Sequence, residues 1–390
     1  MSLVNTPSGN RLHIGIFGKR NSGKSSLLNA ITGQEIALVS EVKGTTTDPV
    51  SKAMEIHPIG PCLLIDTAGF DDTGDLGNMR IEKTKAVLDK TDVAVVVFSD
   101  MQMELETQWI AMLRQRKIPI LAVVNQVDRI EQVQEIKRQI EQRFSLTPLL
   151  VSAKEKTGIS QMKHEILRLM PPDFEAQSLT GSLVQPEDVV LLVMPQDKQA
   201  PKGRLILPQV QTIRDLLDNH CVVMCVTTEQ LSTALQARAK PPKLIITDSQ
   251  AFAQVYPLKP AETLLTSFSI LLAAYKGDLS AFVKGANALD SLTDDSHVLI
   301  AEACTHAPLQ EDIGRVKIPN MLRKKYGEHL QVTVVSGSQF PKDLSEYQLI
   351  IHCGACMFNR KHVLTRVEQA EQQGVPITNY GVVLAKLTGI

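Results

Sequence analysis

Short apolar runs rich in Val and Ile alternate with helical patterns from His13 to Met170, the form a parallel sheet takes when helices cover both of its faces. The runs predict strands at His13–Phe17, Ser51–His57, Cys62–Asp66, Val93–Ser99, Ile120–Asn125 and Pro148–Val151. Met170-Pro171-Pro172-Asp173 stops the last helix, and the polar stretch Glu175 to Pro186 reads as a linker. A second αβ pattern follows, with strands at Val189–Val193, Cys221–Thr227 and Leu244–Thr247 and helices at Gln209–Asn219 and Gln230–Arg238. From about Glu262 the pattern becomes a long apolar helix, Thr263–Tyr275, then strands His297–Ala303, Gln331–Val335 and Leu349–His352 with helices Gly314–Tyr326 and Arg360–Gln373. Neither a repeat nor a low-complexity segment interrupts it. The expectation is an α/β chain of three domains: residues 1–174 with a mainly parallel sheet, then two smaller αβ domains at 186–261 and 262–390.

The length of 390 residues supports that division, since domains average roughly 150 residues. With 41 Lys and Arg against 42 Asp and Glu, the formal charge is −1. Such a balance argues against binding nucleic acid mainly by phosphate neutralisation. The longest apolar runs, Val93 to Phe98 and Ile270 to Ala274, are core-sized and far short of a membrane span. Met1 to Arg11 is polar and lacks the apolar segment of a secretory signal, so a cytoplasmic protein is expected, away from the membrane. Six cysteines are too few for a disulfide scaffold of this length. Cys62, Cys221 and Cys225 sit in strand-like runs, where a buried thiol is an ordinary occupant.

Gly18-Lys19-Arg20-Asn21-Ser22-Gly23-Lys24-Ser25 matches G-x-x-x-x-G-K-S between an apolar strand and the helical run Ser26–Thr32. That context is the one a phosphate-binding P-loop needs. The glycines let backbone N–H groups and the helix N-terminus face phosphates, Lys24 supplies point charge, and the Ser25 hydroxyl ligates Mg2+. Asp66-Thr67-Ala68-Gly69 follows a strand, placing Asp66 to hold the metal and the Gly69 N–H to sense a γ-phosphate. The loop Val42 to Asp48 lies where a switch threonine closes on Mg2+; Thr46 is the candidate, with Thr45 next.

Asn125-Gln126-Val127-Asp128 resembles the guanine-reading N-K-x-D element of GTPases, in which the Asp128 carboxylate accepts from guanine N1 and its exocyclic amine. Ser152-Ala153-Lys154 ends a strand where a backbone N–H meets guanine O6 in that family. Gln126 departs from the family lysine: its methylenes can lie over the base without bringing charge. GTP and GDP are therefore the expected nucleotides. Phe70 replaces the glutamine that orients water in Ras-type proteins, which points to slow intrinsic hydrolysis. The loop resembles the GTPase branch that includes the tRNA-modifying protein MnmE, where a P-loop asparagine helps hold K+. Asn21 has that position here, and the resemblance implies K+-stimulated hydrolysis.

Cys304-Thr305-His306 and His352-Cys353-Gly354-Ala355-Cys356 each follow an apolar strand. Parallel strands collect their carboxyl ends on one edge, so three thiols and two imidazoles can converge there. Three cysteines can hold three irons of a 4Fe–4S cube and leave the fourth to another ligand. Cys and His in these proportions also make tetrahedral zinc sites, and the chemistry of the residues leaves the two open. Gly354 and Ala355 suit a tight turn.

A GTPase domain followed by C-x-H and then H-C-x-x-C resembles the HydF family, the GTPases that mature FeFe-hydrogenase, over essentially the whole chain. The resemblance implies that Cys304, Cys353 and Cys356 ligate a 4Fe–4S cluster with an exchangeable fourth site. His306 and His352 then hold the labile iron, tune it, or orient a thiolate by hydrogen bonding. It also implies a scaffold that assembles a transient diiron precursor with the radical SAM enzymes HydE and HydG and delivers it to apo FeFe-hydrogenase, and a middle domain that makes a homodimer. Two other classes remain in view: a tRNA- or ribosome-associated GTPase with a structural zinc, and an iron–sulfur redox sensor whose GTPase domain is regulatory.

Overall fold

Leu12–Gly18 is apolar or small at every position except His13 and is buried along its whole length, so it can only be an interior strand, β1. The computed structural model describes residues 6–33, 50–67, 86–172, 174, 178–195, 205–237, 240–303, 312–337 and 339–390. They form two compact units, Met1–Ala176 and Gln177–Ile390.

In the first unit β1 lies in a six-stranded sheet with β2 (Val50–Ile56), β3 (Gly60–Asp66), β4 (Val93–Phe98), β5 (Ile120–Val124) and β6 (Leu149–Leu150), in the order β2-β3-β1-β4-β5-β6. Only the β2–β3 hairpin is antiparallel. The helices α1 (Lys24–Thr32) and α4 (Ile159–Leu169) close one face, where Leu27, Ile31, Met162 and Ile166 pack on Ile14, Ile16 and Val95. The helices α2 (Glu104–Gln115) and α3 (Val133–Phe144) close the other, where Trp109, Leu113, Ile140 and Phe144 meet Phe17, Val96 and Phe98. Phe17 and Trp109 are in ring contact, with centroids 5.0 Å apart.

The second unit holds two all-parallel sheets of four strands. One runs β10-β9-β7-β8, from β7 (Val189–Val193), β8 (Val222–Val226), β9 (Leu244–Thr247) and β10 (Leu264–Ser267). The helices α5 (Leu207–Asp218) and α6 (Leu231–Gln236) follow β7 and β8. The other sheet runs β12-β11-β13-β14, from β11 (His297–Glu302), β12 (Gln331–Ser336), β13 (Leu349–His352) and β14 (Ile377–Asn379). Its helices are α8 (Leu279–Ala286), α9 (Ile318–Tyr326), α10 (Arg360–Gln372) and α11 (Tyr380–Thr388). Val363 and Val367 of α10 pack on one face of this sheet, and Ile318, Leu322 and Val383 on the other.

Most of the expected strands and helices recur with their ends moved by a residue or two, the helix expected from Gly314 opens instead as a π-helical turn over Ile313–Lys317 before α-helix from Ile318, and one correction is substantive. Thr263–Tyr275 is not one helix: Leu264–Ser267 is a strand paired with β9, and α7 begins at Phe268 and runs to Lys276. The second sheet therefore takes its edge strand from beyond the 186–261 boundary expected for the middle domain. Apolar runs on both sides of the short polar step Thr266-Ser267 hid the change, because a short strand and a buried helix can both be apolar. The break lies at Ser267, whose hydroxyl caps α7 by accepting the Ile270 N–H at 3.2 Å and also accepts from Ser249 Oγ at 2.8 Å. The pair β14 and α11 went unread, since β14 has only three residues. Ser267→Ala should destabilise the protein by about 1–2 kcal/mol, a lost cap plus a stranded Ser249 hydroxyl. The urea midpoint should fall without a change in m-value.

Candidate functional site

The loop between β1 and α1 is built around its own backbone. Gly23 sits at φ 82°, and a Cβ there would meet Asn125 Nδ2 at 2.4 Å, so glycine is required. Lys24 folds its buried ammonium back onto the Gly18 and Lys19 carbonyls at 2.9 and 2.6 Å. Ser22 is buried and donates to the Lys19 carbonyl at 2.9 Å, which makes it a brace of the loop. Ser25 and Ser26 are exposed on the first turn of α1.

Asp66 ends β3, beside β1. Ser25 Oγ donates to its Oδ2 at 3.2 Å, while Oδ1 is buried with no hydrogen-bond partner among the described residues. Burial raises the Asp66 carboxyl above its usual range, opposed by Lys24 and by the Ser25 hydrogen bond. A hydroxyl, an orphaned carboxylate oxygen and a nearby ammonium are the donor set that Mg2+ with phosphates completes. Thr46 and Gly69 lie outside the described residues.

The base-reading elements are tied to the P-loop. Asn125, at the end of β5, donates to the Ser22 and Gly23 carbonyls at 3.0 and 3.3 Å and accepts the Ala153 N–H at 3.2 Å. Ser152 Oγ donates to Asp128 Oδ1 at 2.6 Å, and this bond is the main cause that holds the Asp128 carboxyl below its usual range. Asp128 is thus ionised and held by its partner loop. The departing residue, Gln126, donates from Nε2 to the Asn21 carbonyl at 2.9 Å. Its amide clamps the P-loop in the position where a stem over the base was expected.

The second candidate lies beyond the carboxyl end of β13. Cys353 Sγ accepts two backbone N–H groups, from Ala303 at 3.1 Å and Ala355 at 3.4 Å. The first brings the chain immediately before Cys304 onto Cys353. Cys353 and Cys356 are both half-buried. Loss of water around its sulfur pushes the Cys353 thiol up to about 11, against the pull of those two N–H groups. Ala355 takes the strained backbone of the turn, at φ 51°, and Gly354 has room for a Cβ, with no atom nearer than 3.8 Å. Cys304 and His306 lie outside the described residues, and among the described residues no three His, Cys, Asp or Glu gather as a metal site.

His352 is fully buried, and both of its ring nitrogens are engaged. Arg366, which can only donate, reaches Nε2 at 3.1 Å, so the proton sits on Nδ1 and is donated to the Cys353 carbonyl at 2.9 Å. Burial and the Arg366 charge hold the ring neutral, down to about 3. In this arrangement His352 braces the turn through its backbone and offers neither nitrogen to a metal. Arg366 is itself buried between the rings of Phe340 and Phe358, at 4.8 and 4.7 Å.

The sequence did not mark the side chains that carry the turn. Asn379 Nδ2 donates to the His352 and Cys353 carbonyls at 3.3 and 3.2 Å. Lys276 donates to the carbonyls of Ala355, Cys356 and Phe358 at 3.3, 3.1 and 2.7 Å. Burial lowers the lysine to about 8, opposed by the Cys356 and Cys353 thiols. The only available signal was a single cation ending an apolar helix, which reads equally as a dipole partner.

These features define a P-loop GTPase domain, the kind of domain that binds GTP and Mg2+, followed by two parallel αβ domains of which the last presents a thiol-bearing turn. Residues 13–126 match the family model of the 50S ribosome-binding GTPase, 179–277 that of the hydrogen maturase F dimerization domain, and 280–390 that of the hydrogen maturase F tetramerization domain. The chain belongs to the hydrogen maturase F family.

Other similarities concern the GTPase domain. The chain is 33% identical over 172 residues to GTPase Der of Wolinella succinogenes, covering 40% of this chain and 36% of that protein. It is 32% identical over 190 residues to the tRNA modification GTPase MnmE of Flavobacterium johnsoniae, covering 46% and 39%. The chain thus spans little more than a third of the length of these relatives. Among solved structures, Era in complex with MgGDPNP and a 16S ribosomal RNA fragment is 18% identical, covers 55% of this chain and 92% of its own, and superposes with a TM-score of 0.37.

Asp128→Asn should weaken GTP binding about 100-fold, through loss of two charge-assisted hydrogen bonds, and leave ATP binding unchanged. Titration with fluorescent guanine and adenine nucleotides checks this.

Proposed function

We propose that this protein hydrolyses GTP and serves as the scaffold on which the diiron precursor of the FeFe-hydrogenase active site is assembled and from which it is delivered. The observation that carries the reading is the Cys353 sulfur, met by two backbone N–H groups beside a buried lysine, in a chain of the hydrogen maturase F family. Burial opposes ionisation of this thiol, and the N–H donors and a nearby cation offset part of that cost for the thiolate, the form in which cysteine binds iron. Cys304, Cys353 and Cys356 would hold a 4Fe–4S cluster, with His306 the remaining imidazole for the exchangeable site. When bound, such a cluster supplies an iron with an open position at which ligands exchange.

In the GTPase domain, Lys24 would exchange the Gly18 and Lys19 carbonyls for phosphate oxygens, and Asn125 and Gln126 would keep the loop open while it does so. Ser25, Asp66 and Thr46 would hold Mg2+, which neutralises phosphate charge when bound. Asn21 would hold K+, and the Gly69 N–H would report the γ-phosphate. Asp128 and the Ser152–Ala153 loop would select guanine. HydE and HydG would supply the precursor and apo FeFe-hydrogenase would receive it. No helix among the described residues is long and apolar enough to cross a membrane.

Dimerisation would use β8, the edge strand of its sheet among the described residues, where Val222 is 53% exposed and Cys225 is also exposed. An apolar edge of this kind pairs readily with its own copy across a two-fold axis.

Lys24→Ala should abolish GTP hydrolysis and leave iron content intact, whereas Cys353→Ser should lose the cluster and keep hydrolysis. Phosphate release and iron analysis of the two purified variants decide it; loss of both properties in either folded variant contradicts two separate sites. Val222→Lys should shift the protein toward monomer at micromolar concentration, as measured by light scattering, because a lysine at an edge blocks strand pairing.

A further inference from the structure

Lys276 is 1% exposed, and among the described residues its ammonium has three partners, all carbonyls of the cysteine turn. A lysine in the last turn of a helix ordinarily faces that helix's own carbonyls or water. Here those positions are taken by another side chain: Arg360, in the first turn of α10, donates to the carbonyls of Tyr275 and Gly277 at 3.1 and 2.9 Å. The two cations are exchanged, each holding the backbone from which the other springs. The arrangement crosses from α7, which follows the edge strand of the second sheet, to the loop after β13 of the third.

A buried ammonium satisfied only by neutral carbonyls is an incomplete ion, since burial of charge is offset fully only by an opposite charge. The groups beside it that can come to carry the opposite charge are the sulfurs of Cys353 and Cys356, which lose their protons on binding a metal, and whatever they bind. The same three bonds orient the turn: with the Ala355, Cys356 and Phe358 carbonyls drawn to Lys276, the Ala355 N–H is left to Cys353 Sγ.

We propose that Lys276 is the positioning residue of the cluster-binding turn, holding its carbonyls in the binding conformation before any metal arrives and supplying the positive charge that completes an anionic thiolate-bound group. The inference rests on the cluster reading above for its second half only. Lys276 touches no reacting atom; it acts through the backbone of the turn and through its charge.

The test uses the full-length protein as Lys276→Met and Arg360→Gln, with Lys284→Met, an exposed lysine of α8, as control. In metal-free protein, amide hydrogen exchange in the segment 353–358 should accelerate about tenfold or more in Lys276→Met and about threefold in Arg360→Gln, with the control unchanged. In cluster-loaded protein, Lys276→Met should lose iron to a chelator about tenfold faster and show a more negative reduction potential, because the reduced cluster carries the extra negative charge. Arg360→Gln should leave the potential where it was. A folded Lys276→Met with unchanged exchange and unchanged potential overturns the proposal. Should Lys276→Met not fold, unchanged exchange in Arg360→Gln overturns the clasp. Wild-type protein that takes up no iron overturns the cluster half and leaves the exchange result to judge the turn.

Discussion

A parallel strand must be followed by chain that travels back across a face of the sheet, so every strand of a parallel sheet delivers its carboxyl end to the same edge. Among the described residues two sheets obey that constraint throughout and the first obeys it in every strand but β2, and in each the first strand of the parallel set has later strands on both sides: β3 and β4 about β1, β8 and β9 about β7, β12 and β13 about β11. The segment after each first strand therefore leaves from the point where the succeeding connections diverge, the crevice in which ligands of open parallel sheets collect. The P-loop leaves β1 there. The cysteine turn leaves β13 beside β11, and the Ala303 N–H bond to Cys353 joins the two strand ends.

Both candidate sites solve the same physical problem in the same way. A loop at a strand end exposes backbone groups that no ladder satisfies, and a site built from it needs those groups aimed before the ligand arrives. In the GTPase domain the aiming is done by Lys24, Ser22, Asn125 and Gln126, each bonded to a P-loop carbonyl. In the last domain it is done by His352, Asn379 and Lys276, each bonded to a carbonyl of the cysteine turn. What the loops carry is a set of donors for anions in the first case and two half-buried thiols in the second.

The alternation of apolar runs and helical patterns was sufficient to read three αβ blocks, because buried parallel strands are nearly continuous in Val, Ile and Leu. The apolar runs on either side concealed the change from strand to helix at Ser267, which is marked only by a short polar step and a capping hydroxyl. Residues recognised by local motif, from Gly18 to Ser25 and from Asn125 to Asp128, were legible since their spacing is set by one turn each. Lys276, Arg360, Arg366 and Asn379 were not, because each acts on groups 14 or more residues away, backbone carbonyls for three of them and the His352 ring for Arg366, through bonds that only tertiary packing creates. His352 was legible as a residue of the cysteine turn, but its two ring hydrogen bonds, to the Cys353 carbonyl and to Arg366, were not, because Arg366 is brought to it only by the packing of α10 on the sheet.

Iron bound at the cysteine turn is what separates a cluster scaffold from a GTPase with a structural zinc. Protein purified without oxygen should contain about four irons and four sulfides per chain, little zinc, and a cluster signal by EPR after reduction. One zinc per chain with no iron and no such signal would leave the GTPase domain standing and contradict the assignment of the second site.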